Sequence, residues 1–377
     1  MKINIVGGGP AGLYFAILMK ARDSSIEINL YERTSADQTW GWGVVFSSKT
    51  LAYLGESDPI AYQRLQEQLV NWTDVVMLYR GDEVRVKGNP FSAIARLKIL
   101  QTLQERAIEL GVSLHFETEI DDPSSLRDCD LLIGADGISS LVRTKYQDRF
   151  EPEIQVGTNK FIWLGTKHLF TGLTLGFAET KAGAFACHAY RFCDDTSTFI
   201  AECTEETWRQ SGLDNASEAE SLSKLSEIFA SELEGQSLMS NNSKWINFRR
   251  VKNKNWHYEN IVLLGDALHT AHFSIGSGTK LAMEDSIALF ECLGTTDSVA
   301  EALPKFESTR RPAVEKLQRA AETSRIWFEN MDSKLGPPPH IFSYDCMTRS
   351  GRVDLELLRE QDSEFVSAFE RERGQNL

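Results

Sequence analysis

Apolar residues along this chain follow two rhythms. Some form short unbroken runs that stop at glycine or at a Gly-Asp or Asp-Gly pair, and others recur three and four positions apart. Unbroken runs of about four to eight residues between turn formers predict buried strands, and the wider spacing predicts helices with one apolar side. Lys2–Val6 predicts a first strand, Leu13–Lys20 a helix behind it and Ile26–Tyr31 a second strand. Leu97–Leu110 predicts another helix, and further strands end at Asp136-Gly137 and at Gly265-Asp266, the latter with a glycine loop and a helical run after it. Strands alternating with helices in this way predict an α/β fold around a Rossmann-like sheet.

The middle of the chain reads differently. Asn159–Leu164, Gly183–Phe192 and Thr196–Cys203 are rich in aromatic and β-branched residues, with Asp194-Asp195 as the turn between the last two. They predict an antiparallel sheet. The helix expected over Leu222–Leu233 would cover its back through Leu222, Leu225, Phe229 and Leu233. Residues 304–335 read as helical and as closing a pocket, until Gly336-Pro-Pro-Pro339 breaks the pattern before a short C-terminal helix. The expected organisation is a discontinuous cofactor domain (1–70, 88–150 and 251–295), a substrate domain (71–87 and 151–250) and a C-terminal helical region (296–377).

Three motifs carry the chemistry. Gly7-Gly-Gly-Pro-Ala-Gly12 follows the first strand directly, and Glu32 lies twenty residues beyond Gly12 at the end of the second. Gly7 permits a tight turn, Gly9 a close approach of backbone to a pyrophosphate, and Gly12 close helix–strand packing, while Glu32 suits ribose hydroxyls. The context makes this a dinucleotide site rather than a glycine-rich turn that merely packs. A secretory signal is disfavoured by the three glycines, the proline and the lack of a small-residue cleavage site. Asp136-Gly137 alone would be an ordinary turn; standing between the first motif and Gly265-Asp266, it becomes part of the same site. Asp266 ends a strand where open α/β sheets bind ligands, and Gly276-Ser-Gly-Thr279 offers bare N–H groups at a helix start.

Taken together, the motifs resemble the FAD-dependent aromatic hydroxylases, the single-component flavoprotein monooxygenases typified by p-hydroxybenzoate hydroxylase. The resemblance implies that fold, FAD as cofactor, and NADH or NADPH as electron donor. It also implies hydroxylation of an electron-rich ring by O₂ through a flavin C4a-hydroperoxide. Carried over, Gly7, Gly9, Pro10, Ala11, Gly12, Glu32 and Arg33 hold the ADP side. Arg96 and Asp266 meet the rest of the FAD backbone, with Asp136, Gly137, Gly265, Gly276, Gly278, Thr279 and Val45 around it. The family usually has a proline shortly after the histidine of the Gly-Asp motif, where this chain has Phe273 in Ala271-His-Phe-Ser274. That departure, with Gly41–Ser47, Ser324–Asn330 and Thr348–Arg352, resembles a narrower branch. It includes salicylyl-CoA 5-hydroxylase, 2-aminobenzoyl-CoA monooxygenase and the indole hydroxylase of violacein biosynthesis. The implied substrate is an aryl-CoA thioester such as salicylyl-CoA or 2-aminobenzoyl-CoA, or alternatively an indole-derived or carrier-bound ring. Aryl-CoA members often carry a second, flavin-reductase domain, and none follows within these 377 residues.

Composition narrows the partners. A formal charge of −14 argues against nucleic acid and asks a polyanionic CoA ester for a local basic patch. Arg249–Lys254 and Arg310-Arg311 are the candidates, although such clusters are commonly solvated faces. No apolar run approaches the roughly 18 residues of a membrane-spanning helix; Ala11–Met19 is the longest, and Lys20 ends it. The six cysteines have no CxxC spacing and read as free buried thiols of a cytoplasmic protein, a monomer or homodimer. His269 and His272, three apart, are weak metal candidates; no metal is expected.

The ring pocket is less legible. Alternation puts Ala184, Ala186, His188, Tyr190 and Phe192 on one strand face, with the alanines leaving room for a planar ring and His188 and Tyr190 orienting its polar group. The competing view is a packed sheet whose histidine and tyrosine are satisfied by neighbours. No side-chain nucleophile is expected, because the cofactor carries the reaction. A two-dinucleotide reductase would need a second GxGxxG, which is absent. A flavin-dependent halogenase would need Trp-x-Trp-x-x-Pro, and Trp40-Gly-Trp-Gly-Val-Val45 lacks its proline. A non-catalytic FAD-binding subunit is the remaining alternative, disfavoured by three intact motifs.

Overall fold

A computed structural model describes residues 1–39 and 41–375, so Trp40 of the tryptophan motif lies outside the described residues. Its first sheet has six strands in the order His257–Tyr258, Ile261–Leu263, Leu131–Gly134, Lys2–Val6, Glu27–Tyr31 and Ser113–His115. All neighbours are parallel except the edge pair of His257–Tyr258 with Ile261–Leu263. Ile3, Ile5, Leu132, Ile133 and Val262 are fully buried, the pattern of a parallel sheet covered on both faces. The helix Pro10–Arg22 packs against Gly278–Gly294 and Arg96–Glu109. All three Gly-Asp or glycine motifs leave the same C-terminal edge of this sheet.

The second sheet runs Leu238–Met239, Pro152–Thr166, Ser197–Cys203, Gly183–Arg191, Leu173–Thr180, Val75–Tyr79 and Asp82–Val86. Ile246–Asn253 joins it along residues 152–161 of the long strand Pro152–Thr166, with a register shift between Val156 and Lys160. The sheet is antiparallel as expected except at one junction, where Leu173–Thr180 and Val75–Tyr79 are parallel. A third, three-stranded sheet of Gly43–Ser47, Phe91–Ala95 and Val70–Trp72 sits beside them.

Several helix boundaries differ from the sequence reading. The helix over 222–233 is two: Glu218–Ile228, opened by a Ser217–Glu220 capping box, and Ala230–Leu233. Phe229 leaves helical geometry between them, yet Leu225, Phe229 and Leu233 reach the core against Phe185 and Phe199 as the spacing required. The helix placed at 304–335 spans Val299–Glu329, capped by Ser298, and carries Pro304 and Pro312 inside. It stops before Gly336, so the prolines at 337–339 follow its end instead of causing it; Pro339 opens the next helix, Pro339–Thr348. Leu355–Gln361 and Ser363–Gln375 complete the C-terminal region, three helices where one was expected.

These helices correct one pocket expectation. Ala184 and Ala186 do lie on the face of His188, but they pack in the cluster of Trp327, Phe328 and Phe342. Their small size makes room for helix side chains and not for a substrate ring.

Candidate active site

A cavity of about 1640 Å³ lies where the edge of the first sheet meets the second. Its floor is built from the glycine motifs. Gly12 sits so close to the preceding turn that a Cβ there would lie 2.3 Å from the Gly7 carbonyl oxygen, and only glycine lets helix and strand approach this far. Gly9 is the reverse case: a Cβ there would meet nothing within 4 Å, because the residue faces open space. Gly9, Pro10 and Ala11 border the cavity, as do Val45, Arg96, Gly137, Gly265, Asp266, Gly276, Gly278 and Thr279. Gly7, Gly12, Glu32, Arg33 and Asp136 do not; they support the floor or stand outside it.

Glu32 shows what that support is. One carboxylate oxygen accepts from the Gly8 N–H at 2.8 Å, and the other from the Thr34 N–H and hydroxyl, both at 2.9 Å. The acid braces the first loop through these three hydrogen bonds, and a carboxylate's roughly four acceptor sites still leave room for a ribose hydroxyl. Arg33 is exposed. Asp136 accepts from the Leu141 and Val142 N–H groups at 2.6 and 3.1 Å and so caps the helix Leu141–Lys145 together with Ser140. Burial raises its pKa.

Arg96 and Asp266 face each other across the floor. The Asp266 carboxylate is open to the cavity and enclosed by protein elsewhere; this enclosure raises its pKa, with Arg96 and His269 opposing. Arg96 has its pKa lowered by burial, against the pull of Asp266. Among the described residues its guanidinium makes no hydrogen bond. An enclosed guanidinium with unused donors is costly unless an anionic group meets it. The helix Gly278–Gly294 adds its positive end, with no acidic side chain in the first turn. Open space at Gly9, a guanidinium without a partner and a bare helix start are features the backbone of FAD fits.

A buried ion cluster fixes the Gly265 turn from behind. Asp285 accepts from the Gly265 N–H at 3.1 Å and from Arg310 at 2.9 Å, and lies 2.9 Å from His269. Burial pushes the Asp285 pKa up, but His269 and Arg310 outweigh it and hold the group below the usual carboxylate range. Arg310 is thereby internal, bridging Glu284 and Asp285, while Arg311 pairs with Glu307. The Arg310-Arg311 pair is therefore no phosphate patch. In the other cluster, Arg250 and Lys254 pair with Glu153 and Glu151, and Arg249 borders the cavity.

The roof is apolar and aromatic, with Phe161, Leu175, Ile200 and Phe273 around His188 and Tyr190. Phe273 stacks obliquely on Phe161 at 4.6 Å and meets the His188 ring edge-on at 5.2 Å. The Tyr190 hydroxyl donates to the Gly43 carbonyl at 2.8 Å. His188 Nε2 lies 3.0 Å from Glu202, whose other oxygen accepts from Asn159 at 2.9 Å. His272 instead bonds Ser274 at 2.8 Å, so His269 and His272 serve different networks. Sequence reasoning missed Glu202, Asn159, Asp285 and Arg349. A signal existed for Glu202: it is the one acid in Ser197–Cys203, a strand buried at every position. All six cysteines are free, four buried and Cys129 and Cys193 half-buried. No helix among the described residues is long and apolar enough to cross a membrane.

The family model described as FAD binding domain matches residues 1–321. The chain belongs to this family, and it is an FAD-dependent aromatic monooxygenase that draws electrons from NADH or NADPH. Its relatives include salicyloyl-CoA 5-hydroxylase of a Streptomyces species, 40% identical over 93% of this chain and 70% of that protein. The 3-hydroxy-4-methyl-anthranilyl-[aryl-carrier protein] 5-monooxygenase of Streptosporangium sibiricum is 32% identical over 97% and 99% of the two chains. Protodeoxyviolaceinate monooxygenase of Chromobacterium violaceum is 31% identical over 93% and 95%. In fold, the chain is similar to 2-methyl-3-hydroxypyridine-5-carboxylic acid oxygenase, with a TM-score of 0.73 over 93% and 96% of the chains at 19% identity.

Proposed function

We propose that this monooxygenase hydroxylates the ring of an aryl-CoA thioester such as salicylyl-CoA or 2-aminobenzoyl-CoA. One observation carries the substrate class. A single cavity borders the glycine floor, the His188 roof and a mouth where Lys244, Arg249 and Arg352 stand exposed. Lys244 and Arg352 have no ion-pair partner among the described residues, although the whole chain is strongly acidic. A ring under the roof with its thioester arm at the mouth would bring phosphates to these cations. The 40% identity to salicyloyl-CoA 5-hydroxylase supports the same reading.

On the cofactor side, Gly9, Pro10, Ala11, Arg96, Asp266 and the N–H groups of Gly276–Thr279 would hold FAD. Gly7, Gly12, Glu32 and Asp136 would shape that floor from outside it. Bound FAD supplies reduction by the nicotinamide and activation of O₂. The chain's residues bind, orient and keep water from the reacting ring, for which Phe161, Leu175, Ile200 and Phe273 form an apolar cover. We take the protein to act in the cytoplasm as a monomer or homodimer. The second reading, a carrier-bound or indole-derived ring, draws on the relatives of Streptosporangium sibiricum and Chromobacterium violaceum.

The test mixes holoenzyme, NADH or NADPH, ¹⁸O₂ and each candidate in turn: salicylyl-CoA, 2-aminobenzoyl-CoA, their free acids and an indole. An aryl-CoA ester should stimulate nicotinamide oxidation most and carry one labelled oxygen on its ring. Stimulation by the indole alone, or peroxide release with no labelled product from any CoA ester, would defeat the proposal.

A further inference from the structure

The wall above the floor contains a buried carboxylate with no cation bonded to it. Glu202 is 1% exposed, and its partners among the described residues are the His188 ring and the Asn159 amide. Burial alone would raise its pKa, yet the hydrogen bonds from His188 and Asn159 help leave it below the usual range, so it is an anion. An ionised carboxylate only accepts. The hydrogen in the 3.0 Å contact therefore sits on His188 Nε2, and in the neutral ring Nδ1 then carries the lone pair. Among the described residues Nδ1 has no partner, while His188 borders the cavity and the neighbouring Tyr190 hydroxyl is already committed to Gly43.

The two residues share a face by register. His188 pairs with Ile200 and Ala186 with Glu202 on adjacent antiparallel strands, so Glu202 lies diagonally behind the imidazole. Asn159 completes the arrangement from the next strand, presenting its amide N–H to the other oxygen of Glu202.

We infer that Glu202 is a positioning residue that locks His188 as a hydrogen-bond acceptor toward the cavity, so that the site selects rings bearing an O–H or N–H donor. This rests on the aryl-CoA reading for its substrate, and on the His188–Glu202–Asn159 geometry with an ionised Glu202 for the tautomer. A phenol or aniline donates to Nδ1. A methoxy group in the same place offers only an acceptor to an acceptor and leaves Nδ1 unsatisfied.

Two measurements on the FAD-loaded protein test it. In ¹⁵N-histidine-labelled protein, the His188 signals, assigned by their loss in His188→Gln, should show protonated Nε2 and unprotonated Nδ1. In Glu202→Gln, Asn159 keeps donating to the amide oxygen and the amide N–H₂ turns to His188, so the proton should move to Nδ1. The second measurement is binding, read by flavin fluorescence. Wild type should prefer 2-hydroxybenzoyl-CoA over 2-methoxybenzoyl-CoA by about tenfold, the size of one buried hydrogen bond. Glu202→Gln should lose or invert that preference at unchanged FAD content and melting temperature, which a merely structural Glu202 would not do. Protonated Nδ1 in the wild type, or an equal preference in both proteins, overturns the inference. If neither ester binds, the aryl-CoA reading falls, and the selection of donors falls with it, whereas the tautomer is still decided by the nitrogen signals.

Discussion

At the scale of single residues, the wall beside Phe273 is organised by donors and acceptors whose directions are forced. Arg349 donates to the Ser324 hydroxyl at 3.0 Å, Ser324 lies 2.8 Å from Ser274, and Ser274 lies 2.8 Å from His272 Nδ1. The Ser274 N–H donates to His272 Nδ1 at 3.4 Å, so this nitrogen accepts, and the Ser274 and Ser324 hydroxyls pass their hydrogens toward it. Burial, helped by the Arg325 and Arg349 guanidinium groups and opposed by Glu202, pushes the His272 pKa down from 6.5 to about 4. The ring stays neutral in the folded protein while the unfolded chain takes up a proton near pH 6.5. The stabilisation is present in full above that value and is lost as pH falls toward 4, by up to about 3 kcal/mol at about 1.4 kcal/mol per unit. Urea unfolding at pH 7 and pH 4.5 should therefore show a smaller loss of stability in His272→Gln than in wild type. Equal losses would mean that His272 is protonated in the fold.

At the scale of elements, the C-terminal helices hold the roof in place. Phe342 is 1% exposed, stacked on Tyr79 at 4.1 Å and edge-on to Phe177 at 4.7 Å. It thus ties the helix Pro339–Thr348 to two strands of the second sheet. Phe342→Ala should lower stability by about 4 kcal/mol through lost burial and a residual cavity. A loss below about 1 kcal/mol in urea unfolding would show that the helix does not depend on this packing. The same region ends at the cavity, since Arg349, Arg352 and Leu357 border it. This explains why a segment that reads in sequence as a mere closing helix takes part in the site.

At the scale of the molecule, the balance of charge is uneven. The chain carries a net −14, yet the cavity mouth presents Lys244, Arg249 and Arg352. Exposed cations act on a phosphate through solvent and are screened within about 8 Å at physiological salt. Raising ionic strength should raise the KM for an aryl-CoA ester while leaving the KM of the same acyl group on N-acetylcysteamine unchanged. Parallel changes in the two would remove the mouth cations from substrate binding.

The sequence by itself determined the first sheet and the cofactor. A strand, a glycine turn and a helix are local events, set by conformational freedom and spacing within some twenty residues, and Gly7–Gly12 and Gly265–Thr279 spell them out in order. It also determined the shared face of His188 and Tyr190, because strand alternation needs only the backbone. Tertiary structure decided what those faces meet. Ala184 and Ala186 pack under Phe328, not a substrate, and Arg310 turns inward to Asp285 although the sequence offered it as a phosphate ligand. Glu32 is drawn into bracing its own loop. Glu202 comes beside His188 only through the pairing of two strands. Partners of this kind lie on different elements, and their meeting follows from register and packing, which no local pattern encodes.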